Sequence, residues 1–97
     1  MSAFLLTRHR TGPSWDPTRP MEAQSDWEEH ARVMDALVAR GVLIIGGPAG
    51  AGERVVLVCE AATAQELLDA LEDDPWTRSH LIDEVEPLSI RIDARHP

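Results

Sequence analysis

Four histidines carry the side chain whose ordinary pKa, about 6.5, permits proton transfer in both directions near neutrality. Among them His30 has the most telling surroundings. Trp27, His30, Ala31, Met34, Leu37 and Val38 recur at helical spacing, so His30 points with a buried face and not into open water. A histidine so placed either works on a ligand in an adjoining cavity or is a core residue satisfied by a neighbouring carboxylate. His9, His30 and His80 show neither HxxxH nor HxH spacing, and His96 falls in a tail expected to fray. No metal motif follows from them.

Other residue types suit a pocket. Trp15 and Trp76 fall in loop or turn settings and are candidates to wall an apolar or aromatic ligand, whereas Trp27 belongs by its spacing to the core. Arg8 and Arg10 leave the first strand towards a long loop, and one of the two, with Arg8 the candidate site residue, is expected to meet an anionic substrate through a bidentate contact. The plainer reading of each is a solvated arginine or a bridge to Asp16. Gly46, Gly47 and Pro48 end the second strand. Backbone N–H groups there suit an oxyanion, or else the glycines only start a hairpin. Asp74 precedes Pro75, a common turn arrangement. Cys59 sits in the run VVLVCE, where a buried thiol is the default. The acids Glu72, Asp73 and Asp74, and the pair Asp83 and Glu84, read as solvated ends of elements.

Composition removes whole classes of chemistry. All nine cations are arginines, which excludes a Schiff-base lysine, an internal pyridoxal-phosphate lysine and a P-loop. One cysteine forms no intrachain disulfide and no CxxC site. A formal charge of −8 argues against binding to nucleic acid. Apolar runs such as Val42 to Ile45 are far short of the roughly 18 residues of a membrane span, and no signal segment is expected before the first strand. A cytoplasmic protein without cofactors or membrane contacts is expected.

With 97 residues and 43% apolar content, residues 1–97 make one domain. A first strand is expected over 3–9, then a loop over 10–25 that folds back over a pocket. A helix should start near Ser25 or Asp26 with Ser25 and Glu28 as a capping box, and stop at Gly41. VLIIGG and RVVLVCE form a hairpin, Thr63 caps a short second helix, and VEPLSIRID alternates as a last strand. The order βαββαβ predicts an α+β domain of ferredoxin-like type with an antiparallel sheet. Two helices cover one face only, yet the middle strands are apolar on both, which predicts a homodimer through the sheet face.

The segment GPSWDPTRPMEAQSDWEEHARVMDALVARGVLIIGGP, followed by DPWTRSHLIDEVEPLSI, resembles the YCII-related (YciI-like) family. That resemblance spans nearly the whole chain and is weakest over 49–53. It implies a dimeric α+β barrel of ferredoxin-like subunits with a His–Asp site facing a pocket. Carried over by position, the histidine is His30 and the aspartate Asp74. One member of the family resembles a dehydrochlorinase, and the wider superfamily includes muconolactone isomerases and monooxygenase-like proteins. The expected function is a small cofactor-independent acid–base enzyme, an isomerase or dehydrohalogenase-like lyase. It would act on a small organic molecule, an aromatic one included, with His30 as base and Asp74 orienting it. The alternative is a non-catalytic ligand-binding or accessory module using the same pocket.

Overall fold

The computed structural model describes residues 1–95; His96 lies outside the described residues. Its elements run β1 (Ser2–His9), α1 (Trp27–Ala39), β2 (Leu43–Ala49), β3 (Arg54–Ala61), α2 (Ala64–Leu71) and β4 (Ile82–Pro87). The four strands form one antiparallel sheet in the order β2-β3-β1-β4, the arrangement of the ferredoxin-like fold. In β1, Phe4, Leu6 and Arg8 face the helices, and the ladder places Cys59, Leu57 and Val55 of β3 beside them. Leu37 from α1 and Leu67 and Leu71 from α2 close the core over Phe4, Leu6, Leu43, Cys59 and Ala61.

Thr63 caps α2 as the sequence predicts, its hydroxyl accepting from the Glu66 N–H at 3.1 Å. Thr63→Ala should therefore cost about 1 kcal/mol in urea unfolding, with Thr63→Ser nearly neutral. Gly41 stops α1 at φ 74°, the left-handed conformation that favours glycine.

The start of α1 departs from expectation. Asp26, in the left-handed region at φ 61°, precedes the first turn, and neither it nor Ser25 caps the helix through its side chain. The Ser25 hydroxyl is instead bonded to His80 Nε2 at 3.0 Å. β4 also shifts: it spans 82–87 and not 85–93, because Pro87 already lies opposite Phe4 near the start of β1, and the bond from the Leu88 N–H to the Ala3 carbonyl at 3.0 Å comes where that partner runs out. Conversely β2 continues through Pro48 to Ala49, which an edge strand tolerates.

The segment over 10–25, with a 3-10 turn at Met21–Ala23, docks on the turn that follows α2. Gly12 and Ser14 donate to the carbonyls of His80 and Ser79 at 3.1 and 2.6 Å. A Cβ on Gly12 would stand 2.5 Å from the His80 carbonyl carbon, so glycine alone permits this approach. Buried Gln24 knots the loop, donating to the carbonyls of Asp16 and Arg19 and accepting from the Asp16 N–H.

Cys59 is fully buried beneath the helices. Burial pushes its thiol up to about 11, while Arg8 pulls it down and Asp83 pushes it up to smaller extents. A disulfide reagent at pH 8 should leave the native thiol unreacted while titrating it completely in denaturant.

Candidate active site

The segment 74–81 brings α2's end, α1 and β1 to one point. The Asp74 carboxylate accepts from the Trp76 N–H at 2.9 Å, which fixes its rotamer at the start of the turn. His30 Nδ1 lies 2.9 Å from both Asp74 oxygens. An ionised carboxylate only accepts, so the hydrogen sits on Nδ1 and the other ring nitrogen, Nε2, is left as the basic atom. No hydrogen bond to Nε2 is found among the described residues, and His30 lines an apolar cavity. The pair expected at positions 30 and 74 is thus in direct contact, 44 residues apart in sequence.

Arg8 completes the group from the other side. Its Nη1 donates to Asp74 Oδ2 at 2.7 Å, Nε and Nη2 hold the two oxygens of Asp83 at 2.7 and 3.2 Å, and Nη2 also donates to Thr77 Oγ1 at 3.0 Å. The remaining Nη1 contact is the Met34 sulfur at 3.7 Å. Arg8 is 1% exposed, and its strong donors are committed inside the protein. It lines the cavity, but its geometry is that of a scaffold for Asp74. Burial alone would raise the Asp74 carboxyl. The bonds from His30 and the Trp76 N–H, together with the Arg8 charge, outweigh it and hold the group below the ordinary carboxylate value.

Trp76, buried at 1% exposure, stacks on the His30 ring with centroids 3.8 Å apart and planes at 11°. Its far side carries His80, stacked at 5.0 Å, and its Nε1 donates to the Ser25 carbonyl at 2.7 Å. His80 has a definite tautomer. Ser79 Oγ gives its proton to the Pro75 carbonyl, so it accepts from His80 Nδ1–H at 2.8 Å, leaving Nε2 to accept from Ser25 Oγ. Burial lowers the His80 pKa, against weaker upward pulls from Asp26 and Asp74, in keeping with this neutral ring.

The cavity itself is about 410 Å³, within the usual range for small-ligand pockets. Its walls are Met21, Met34, Leu43, Val55, Leu57 and Leu81, with Val38 and Ile45 at the rim, 59% and 70% exposed. That position explains why Val38, on the apolar stripe of α1, is not covered. Of the other candidates, Trp15 meets Trp76 edge-on at 5.7 Å and supports it from behind without lining the cavity. Trp27 is half-buried against His30 and Trp76, each 5.8 Å away, and lies outside the hydrophobic core it was expected to join. Gly47 and Pro48 do not line the cavity. Gly46 does, and a Cβ there would collide with the Val56 carbonyl and Leu57.

Two participants escaped the sequence reading, Asp83 and His80, whereas Arg10 was one of the two arginines considered for an anion. Asp83 is directly opposite Arg8 across the β1–β4 ladder, and a correctly placed β4 would have shown it. His80 had no sequence signal, since its partners Ser25 and Ser79 are not spaced in any motif. Among the described residues no group of three or more His, Cys, Asp or Glu side chains is placed to hold a metal ion, and no helix is long and apolar enough to cross a membrane.

Comparison with family models, with curated proteins and with solved structures returns no match for this chain. Its own geometry therefore stands alone: an α+β domain with a four-stranded antiparallel sheet, carrying a buried Arg–Asp–His group at the wall of an apolar cavity.

Proposed function

We propose that this chain is a cofactor-independent acid–base enzyme, an isomerase or dehydrohalogenase-like lyase, in which His30 Nε2 takes a proton from a small organic molecule held in the cavity. The observation that carries the reading is the hydrogen bond from His30 Nδ1 to the buried Asp74 carboxylate. It fixes the tautomer, leaves Nε2 to take the proton and places a carboxylate beside the imidazolium formed on transfer. The resemblance to the YCII-related family points the same way.

The second reading, a binding module without turnover, draws support from the apolar lining and the internal commitment of Arg8. Exchange of solvent deuterium into acidic C–H positions of a panel of small cyclic and aromatic carbonyl compounds separates the two. Protein-dependent exchange on any member supports the enzyme. Binding without exchange from pH 5 to 9 supports the module and removes the enzyme reading.

The same proposal includes a homodimer through the open sheet face. Leu5, Ile45, Val56, Val58 and Ile82 share that face, with Ile45 and Ile82 70% and 44% exposed. A light-scattering mass equal to the monomer at micromolar concentration would remove the dimer.

A further inference from the structure

Arg8 and Arg10 lie two residues apart on one side of the sheet, and both reach the cavity, but their guanidinium groups are satisfied very differently. Arg8 presents the edge made of Nε and Nη2 to both oxygens of Asp83. The same edge of Arg10 carries no oxygen at all. Its Nη2 points at the Met21 sulfur, 3.6 Å away, and its Nε is buried with no hydrogen-bond partner. Only Nη1 makes a strong bond, to the Gly52 carbonyl at 2.7 Å. No carboxylate lies within ion-pair reach of Arg10 among the described residues. A thioether is a weak acceptor, and a buried donor left unmade costs free energy, so this edge is unfinished as it stands.

We propose that the Nε/Nη2 edge of Arg10 is the receptor for the carboxylate of a small, otherwise apolar organic acid. The acid displaces the Met21 thioether and lays its hydrocarbon against Met34, Val38, Leu43 and Leu57. The class follows from what the cavity offers. Arg8 is already neutralised by Asp74 and Asp83, so Arg10 is the one cavity cation whose charge is unmet among the described residues, and a monoanion matches it. Arg10 is also held ready: its guanidinium stacks over Trp15 at 4.8 Å while Gly52 fixes its outer nitrogen. In a chain of charge −8 no long-range field gathers anions, so recognition must come from such a local fork.

This inference rests on the cavity being the ligand site and names the ligand class; it does not depend on turnover. Its test is binding of benzoate, cyclohexanecarboxylate and hexanoate to the full chain, by calorimetry and by the Arg10 Nε–H resonance, with benzamide as the neutral isostere. At least one carboxylate should bind with Kd below about 1 mM, move the Nε–H signal downfield, and bind at least about tenfold more tightly than its amide. Arg10→Gln should weaken that carboxylate by at least about tenfold. Arg10→Lys keeps the charge without the fork and should also lose about tenfold. Absence of binding for all three acids, or unchanged affinity in Arg10→Gln or Arg10→Lys, would overturn the proposal. Binding that follows this pattern with no deuterium exchange upholds it while the catalytic reading falls.

Discussion

Arg8→Met is expected to destabilise the fold by about 3–5 kcal/mol, because it leaves two carboxylates buried without their cation. For a chain of this size that is a fall of roughly 15–30 °C in Tm. Methionine preserves much of the volume, so the loss reports charge and not a cavity. Asp74 and Asp83 have side chains only 0% and 8% exposed, and each takes a 2.7 Å bond from Arg8. The control is the triple variant Arg8→Met, Asp74→Asn, Asp83→Asn, which removes every charge together and should recover a good part of the loss. Urea unfolding measures both. A cost below about 1 kcal/mol for Arg8→Met would show that the cluster contributes no more than a surface pair.

The second large effect concerns catalysis. On any substrate found by deuterium exchange, His30→Gln should lower the rate by about 10²–10⁴, the usual contribution of a positioned general base. Asp74→Asn should approach the same loss by a different route, since its amide can turn a donor towards Nδ1 and place the hydrogen on Nε2. Asp74→Asn also has a stability signature. The folded Asp74 carboxyl lies below its ordinary value of 3.8, chiefly because its hydrogen bonds overcome the opposing effect of burial. Its contribution is therefore fully present above about pH 4 and is lost as pH falls through the folded-state value. The stability gap between wild type and Asp74→Asn should be wide at pH 6 and narrow steadily below pH 4. A gap independent of pH would mean that the carboxylate's charge is not what the fold uses.

How much of this was legible beforehand depended on whether each signal was local. β1, β3 and α2 follow from alternation, a β-branched run and Thr63, all confined to a few residues. The capping box at Ser25 failed because a distant side chain, His80, competes for the same hydroxyl, and nothing near Ser25 announces it. β4 was misplaced because alternation alone cannot say where β1, its partner, runs out. His30 was readable as a buried titratable group from the stripe of α1, whereas its pairing with Asp74 came only through resemblance. Arg8 was read as facing a substrate, yet the fold spends it on Asp74 and Asp83, which depends on a ladder register that no short window of sequence contains.

The two outer strands bear on how the chain behaves when crowded. β2 is irregular between Leu43 and Ile45 and carries Gly46, Gly47 and Pro48 in succession, while β4 alternates Asp83, Glu84 and Glu86 with few apolar residues and ends at Pro87. Proline withholds an N–H from any incoming strand, glycine gives it nothing to pack against, and like charges repel a second copy of β4. Neither border is a good template for lateral growth of the sheet, so fibril-like polymerisation is blocked at both margins.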